Sequence, residues 1–170
     1  DVGVLPKEVA INFGVTGSTL RASGVDYDLR KVEDYSIYSK FDFNVPVGDG
    51  RMGTVGDCWD RYWVRYLEIH ESIKIIRQAI KSIPEGDVHA SMPKKIRPRA
   101  GEVYSRYESA RGDVGYYIIS DGKNIPQRVK MRSPAYSNLS VLPEIGEGWM
   151  MSDVITILGS LDIVLGEIDR

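Results

Sequence analysis

Apolar residues recur at alternating steps of four and three over residues 57–83, the repeat expected of one face of an α-helix. This apolar stripe consists of Tyr62, Tyr66, Ile69, Ile73, Ile76, Ile80 and Ile83. Asp57 is placed to cap the amino terminus of the helix, and Pro84 and Gly86 end it. The pattern predicts a long scaffold helix whose apolar face packs against its neighbours.

Shorter elements are predicted on either side of this helix. Pro6 and Gly14 bound a short amphipathic helix, whereas residues 15–57 are rich in glycine and predict mainly irregular structure. Near the C-terminus, residues 134–149 predict loop and a short helix, and residues 152–158 a further helix. Most of the regular structure is therefore predicted to be helical.

Runs of β-branched and aromatic residues predict three short antiparallel strands between residues 103 and 131. The strands cover residues 103–107, 114–119 and 128–131. Turn sequences at Arg111-Gly112-Asp113 and Asp121-Gly122 separate them. Together with the helices, they predict an α+β fold in a single domain across residues 1–170.

The last residues of the chain are unusually apolar. The tail contains Leu158, Leu161, Ile163, Val164, Leu165 and Ile168. Because chain ends are usually frayed and polar, we expect this tail to be buried and to carry Asp162 in with it. A buried carboxylate needs either an ion-pair partner or a functional role, and the sequence leaves both open.

Composition excludes several classes of function. Hydrophobic residues make up 42% and charged residues 27%, which is typical of a globular protein. Lys and Arg number 22 against 24 Asp and Glu, so no strong positive field is available to bind nucleic acid. The single cysteine, Cys58, excludes an intrachain disulfide, and with only two histidines a metal centre is not expected. Neither a signal peptide nor an apolar run long enough to span a membrane is visible.

Isolated motifs have simple interpretations. The glycine pairs at 14 and 17 and at 112 and 115 lack the context of phosphate loops and are interpreted as turn glycines. His70 is expected at the surface or its boundary. The basic loop, with Lys94, Lys95, Arg97 and Arg99, is either a solvated face or a docking patch for a partner or anionic lipid.

Several ordered blocks of sequence resemble a single family. The blocks are residues 17–30, 55–62, 101–106, 108–112, 137–139 and 157–170. They resemble the C-terminal half of the D-type (49-kDa-type) subunit of NADH:quinone oxidoreductase (respiratory complex I), which is related by descent to the large subunit of nickel–iron hydrogenases. The resemblance implies a hydrogenase-large-subunit-like fold and a chain that is the C-terminal part of a longer subunit. Ser18 and Ala110 depart from it, because many members have proline there.

The tail gains a chemical meaning from this resemblance. Nickel–iron hydrogenases end in Asp-Pro-Cys-x-x-Cys-x-x-His. When the Asp of this motif is aligned with Asp162, this chain has Val164 and Glu167 in place of the two cysteines and Arg170 in place of the histidine. Since the metals need thiolate ligands, the resemblance implies that the metal site is lost. It further implies that the location has become the headgroup end of a quinone chamber. Asp162, Val164 and Arg111, which lies in a turn similar to the hydrogenase arginine motif, would line this chamber.

The resemblance also implies partners and a place in the cell. Quinone would be the substrate, with electrons arriving from an iron–sulfur cluster in a neighbouring subunit and NADH reacting at a distant one. This chain would hold no cofactor. Its partners would be other peripheral-arm subunits, including the cluster-bearing quinone-site subunit and a C-type partner, and the membrane arm. The complex would place it peripherally at the cytoplasmic face of the cell membrane.

Family members place the principal His and Tyr headgroup contacts in the N-terminal half, so the chain alone is not expected to reduce quinone. Apolar surface is expected to be exposed where that half packs. Three alternatives stay open at this point. The first is a coenzyme F420 dehydrogenase, in which the same subunit occurs. The second is a metal-bearing, membrane-bound hydrogenase, which conflicts with Val164 and Glu167. The third is a purely structural or assembly module, which needs only protein contacts at the tail.

Overall fold

The structure, a computed structural model, describes residues 1–169. The first helices are α1 (Lys7–Asn12), α2 (Gly17–Ala22), α3 (Leu29–Val32) and, after a 3₁₀ turn at Tyr38–Lys40, the long α4 (Cys58–Ser82). Three strands follow: β1 (Gly101–Ser109), β2 (Gly112–Ser120) and β3 (Arg128–Arg132). The chain ends with α5 (Pro134–Leu139), α6 (Leu142–Gly146), α7 (Met151–Ser160) and α8 (Leu165–Ile168).

The strands form an antiparallel sheet in the order β1-β2-β3, which confirms the α+β fold with a small sheet. Strands β1 and β2 are longer than predicted. Gly112 and Asp113 pair with β1 and belong to β2, so the connecting turn consists of Ala110 and Arg111 alone. This short turn fixes the place of Arg111 at the end of the hairpin.

Helix α4 has the predicted extent, and the Asp57 side chain caps it by accepting a hydrogen bond from the Asp60 amide at 2.9 Å. Its orientation differs from the prediction. The buried residues of α4 are Asp60, Arg61 and Val64, whereas the apolar stripe is exposed in the described part of the chain. The expectation that the stripe packs against neighbours is therefore wrong for residues 1–169, and the expected exposed apolar surface is found there.

The hydrophobic core lies between the N-terminal segment, α2, α6 and α7. It contains Leu5, Ala10, Val15, Leu20, Val141, Ile145, Ile157 and Leu161. Residues 15–57 are mainly irregular, as predicted, but the prediction did not include helix α2. All six of its residues are buried, so packing overrides the weak helix propensity of Gly17 and Ser18.

The C-terminal tail is only partly buried. Leu161 is 1% exposed and lies in the core, whereas Leu165 is 75% exposed. The expectation of a fully buried tail is therefore wrong beyond Leu161. The other expectation, that Asp162 is buried with it, is also wrong, because its side chain is partly exposed. Among residues 1–169, no helix combines the length and the apolar character needed to cross a bilayer.

Candidate functional site

The turn between β1 and β2 meets the C-terminal tail through an ion pair. Arg111 places Nη2 3.3 Å from Asp162 Oδ1, and its Nε lies 3.4 Å from the Asp162 carbonyl oxygen. The two side chains are 34% and 39% exposed. Two of the three residues predicted to share a site are thus in contact, at a position that solvent reaches.

A buried amide fixes the backbone of Arg111. Asn138 Nδ2 donates to the carbonyl oxygens of Arg111 and Thr16, at 3.3 Å each, and its Oδ1 accepts from the Thr16 amide at 3.0 Å. Asn138 is 1% exposed, so these bonds are shielded from water. The side chain of Asn138 therefore joins α5, the start of α2 and the Arg111 turn into one unit.

Two glycines allow the Arg111 turn and the start of α2 to touch. Gly17 has φ +67°, and a Cβ there would lie 2.4 Å from the Arg111 carbonyl oxygen. Gly112 has φ +127°, and a Cβ there would lie 2.2 Å from Thr16 Oγ1. Neither a side chain nor an ordinary L-residue conformation fits at these positions. The interpretation as turn glycines is wrong for both, because Gly17 begins α2 and Gly112 begins β2, and they allow close backbone packing behind Arg111.

The position of Asp162 depends on the end of α7. Asp162 follows α7 with φ +53°, and its amide donates to the Gly159 carbonyl oxygen at 3.2 Å. Two arginines of α4 hold Ser160, two residues before Asp162: Arg61 Nε donates to its Oγ at 2.8 Å, and Arg65 Nη2 donates to its carbonyl oxygen at 2.6 Å. Cations at a helix C-terminus also interact favourably with the helix dipole. Helix α4 thus determines where Asp162 lies.

Arg65 contributes to the electrostatics of this site. Burial lowers the pKa of Arg65, the Asp162 carboxylate opposes this effect, and the positive charge of Arg111 adds to it. Arg65 Nη1 is buried and has no hydrogen-bond partner among residues 1–169. The Asp162 carboxylate therefore acts on the guanidinium of Arg65 as well as on that of Arg111.

The two positions that the resemblance aligns with hydrogenase cysteines have different surroundings. Val164 is extended and half-buried, immediately before α8. The Glu167 carboxylate accepts hydrogen bonds from Ser133 Oγ at 3.1 Å and from the Ala135 amide at 3.2 Å, at the start of α5. Arg170 lies outside the described residues. Within residues 1–169, no three His, Cys, Asp or Glu side chains are grouped so that they could hold a metal ion.

Comparison with known proteins identifies the family. The chain matches the family described as respiratory-chain NADH dehydrogenase, 49 Kd subunit, over residues 1–100 and 90–170. The chain belongs to this 49-kDa subunit family. It is 51% identical to the NADH-quinone oxidoreductase D subunit of Chlorobaculum tepidum over 174 residues, which cover 100% of the chain and 44% of that relative. The D subunit of Desulforamulus reducens is 50% identical over 169 residues, covering 99% of the chain and 45% of the relative.

Membership of the 49-kDa subunit family confirms the family predicted from the sequence. The chain spans less than half the length of these relatives. The sequence did not identify Asn138, Arg61 or Arg65 as residues that position the site. The sequence did contain a signal for Asn138 and Arg61, because both lie in blocks that resemble the family. It was not used because polar residues on a helix are usually expected to face solvent.

One groove of the described chain is lined by neither Arg111 nor Asp162. It encloses about 700 Å³ beside β3 and α5. Its lining residues are Tyr104, Tyr117, Arg128, Lys130, Met131, Arg132, Ser133, Tyr136 and Ser137. The side chains of the Arg111–Asp162 pair are instead partly exposed to solvent.

Proposed function

We propose that this chain forms one wall of the quinone site in a proton-pumping NADH:quinone oxidoreductase. It would be the C-terminal part of a longer subunit with a nickel–iron hydrogenase large-subunit-like fold. The contact between Arg111 and Asp162 carries the proposal, because it joins the two segments that the resemblance assigned to one site. Family membership supports the proposed complex, and the names of the relatives favour NADH over coenzyme F420 as its electron donor.

The residues at this surface suit a quinone headgroup. Such a ligand needs apolar contact and a few placed polar groups, and Val164 and the Arg111–Asp162 pair offer these. Reduction takes two electrons and two protons, with the electrons supplied by an iron–sulfur cluster of a neighbouring subunit and ultimately by NADH at a distant one. Arg111 would stabilise negative charge on a quinone oxygen, and Asp162 would orient its guanidinium.

The proposed assembly supplies the other walls of the site. They would come from the N-terminal half of the subunit and from the cluster-bearing quinone-site subunit. The C-type partner and the membrane arm complete the set of neighbours, at the cytoplasmic face of the cell membrane. The open position of the Arg111–Asp162 pair and the exposed apolar stripe on α4 support such neighbours.

The substitution Val164→Met tests the apolar part of the site in the assembled complex. A longer side chain changes the space for the headgroup. One methylene changes the binding free energy in an apolar pocket by about 1–3 kcal/mol. We therefore expect the inhibitor concentration for half-inhibition to change by roughly tenfold. Val88→Met is the matched control, because Val88 is fully exposed. Identical inhibition curves for both variants and the wild type would count against a quinone contact at Val164.

The substitution Asp162→Asn separates the quinone role from the structural alternative. The ion pair is partly exposed, so its loss should change stability by less than about 1 kcal/mol. We expect quinone turnover to fall by about tenfold or more while the complex still assembles. Asp49→Asn is the control, since it breaks an exposed Asp49–Arg51 pair of similar length, 3.4 Å. Normal turnover in Asp162→Asn would favour the structural or assembly module instead.

A further inference from the structure

Strand β3 is an edge of the sheet that no other strand of residues 1–169 covers. The strand order β1-β2-β3 leaves β1 and β3 at the two edges. The segment around α3 covers the β1 edge, because the Glu108 amide donates to Tyr35 Oη at 3.0 Å and the Leu29 amide donates to Glu108 Oε2 at 3.3 Å. An uncovered edge offers its row of backbone donors and acceptors to an added strand.

The side chains of β3 alternate between cationic and apolar. The strand reads Arg128-Val129-Lys130-Met131-Arg132. Successive side chains of a strand point to opposite faces, so the three cations share one face and the two apolar side chains share the other. Val129 is 51% exposed, and Arg128 and Lys130 are exposed as well. The edge therefore has one cationic side and one apolar side.

Two of the three cations on β3 have no carboxylate partner. Arg132 Nη1 lies 3.5 Å from Asp113 Oδ2 and donates to the Asp113 carbonyl oxygen at 2.5 Å. Arg128 and Lys130 form no ion pair within residues 1–169. Glu102 lies on the same face, across the sheet on β1, and its carboxylate is engaged by a tyrosine hydroxyl. The charges of Arg128 and Lys130 are thus available to a partner.

The sequence around β3 adds to this positive charge. Residues 122–132 contain four Lys and Arg and no Asp or Glu, although the whole chain has 24 acidic residues against 22 basic ones. The loop of residues 88–101 contains another four cations and no acidic residue. Residues of both segments line a further groove of about 430 Å³ at the end of the sheet, so the two segments are neighbours. A surface of one sign favours a partner of the opposite charge.

The groove of about 700 Å³ beside β3 has room for such a partner. Lys130 and Met131, which lie on opposite faces of β3, both line it, so the groove extends around the outer edge of the strand. Tyr117 and Tyr104, which stand in register with Lys130, line it on the cationic face. The edge, the charge and the space therefore coincide at one place.

We propose that an extended segment of another subunit, in which acidic and apolar residues alternate, adds to the edge of β3 in the assembled complex. The existence of that complex rests on the proposed function. Acidic residues of the added strand face Arg128 and Lys130, and the apolar residues between them cover Val129.

Two observations select this occupant. The outer edge of β3 is a row of backbone groups that a polypeptide strand satisfies and an anionic lipid does not. The cationic face also differs in chemistry from the apolar stripe of α4, which suits the proposed N-terminal half of the same subunit. A charged, polar face is typical of contacts between chains that fold separately, so we assign the strand to a separate subunit.

Carbodiimide cross-linking of the assembled complex tests the contact, because the reagent joins a lysine amine directly to a carboxylate. Peptide mapping should find Lys130 joined to an Asp or Glu of another subunit, in a segment with acidic residues at every second position. Lys130→Arg keeps the charge but lacks the reactive amine, so this cross-link should disappear while the complex assembles normally. Cross-links of Lys7, which is exposed on α1, should be the same in both preparations.

Charge reversal measures how much the contact contributes to assembly. Lys130→Glu places like charges opposite each other, so we expect roughly threefold less assembled complex. Lys7→Glu is the matched control and should give the wild-type yield. Lysines on edge strands commonly guard against aggregation. If that is the whole role of Lys130, Lys130→Glu will assemble like the wild type, and this result would overturn the proposal.

The remaining outcomes separate this inference from the proposed function. A complete complex in which Lys130 is cross-linked to no other subunit, or only to the N-terminal half of its own, overturns the inference alone. Binding of phosphatidylglycerol vesicles that Lys130→Glu abolishes, without a cross-link, would assign this face to a membrane instead. If the chain enters no complex with quinone reductase activity, the proposed function fails. The inhibitor curves of Val164→Met report on the quinone contact independently, since Val164 does not line the groove.

Discussion

Gly17→Ala is expected to cost roughly 4 kcal/mol of folding stability, whereas Gly14→Ala should cost only about 1–2 kcal/mol. Both glycines have φ +67°, so the backbone strain of an alanine is the same at the two positions. They differ in space. A Cβ on Gly17 would lie 2.4 Å from the Arg111 carbonyl oxygen and 2.7 Å from Gly112 Cα, whereas within residues 1–169 no atom beyond the adjacent residues lies within 4 Å of a Cβ on Gly14.

This pair of variants also tests whether packing behind Arg111 matters for activity. Backbone atoms cannot move aside like a flexible side chain, so alanine at 17 must displace the Arg111 turn from α2 and from Asn138. We expect less assembled complex and a large loss of quinone turnover for Gly17→Ala, with near-normal values for Gly14→Ala. Thermal inactivation and turnover of the two complexes check this. Equal behaviour of the variants would contradict the packing argument.

Local patterns in the sequence predicted the elements well but not the inner face of α4. The helix and its Asp57 cap follow from residues close in sequence, as do the three strands. Which face is buried depends on distant partners. Arg61 turns inward because carbonyl oxygens at Gly3 and Gly56 and the hydroxyl of Ser160 accept from it. No periodicity over residues 57–83 contains that information.

The candidate site was predicted through family resemblance and not through spacing. Arg111 and Asp162 are separated by 51 residues, and their contact depends on where the hairpin and α7 pack. The polar residues that fix this packing include Asn138, which is buried because it satisfies three backbone groups at once. The residue type and spacing of a single asparagine do not indicate that role, and only the family resemblance of its sequence block pointed to it. The short helix α2 was missed for a related reason, since burial and not propensity stabilises it.

The substitution Arg61→Met should be among the most damaging single changes in this chain, with an expected loss of about 3–5 kcal/mol. Arg61 is fully buried and donates to the carbonyl oxygens of Gly56 at 2.6 Å and Gly3 at 2.8 Å, and to Ser160 Oγ at 2.8 Å. Methionine fills much of the volume but donates nothing. Two buried carbonyl oxygens then lose a partner, and each such loss costs about 1–3 kcal/mol.

Arg77→Met provides the matched control, because Arg77 is exposed on the same helix. Its complex should assemble and resist heat like the wild type, whereas Arg61→Met should lower both assembly and the temperature of inactivation. Arg61→Lys distinguishes charge from geometry: lysine keeps the cation but lacks the planar fork that reaches three acceptors, so we expect only partial recovery. Full recovery with lysine would show that the charge alone matters. No effect in Arg61→Met would mean that the N-terminal segment and α7 are held in place by their apolar contacts and not by this guanidinium.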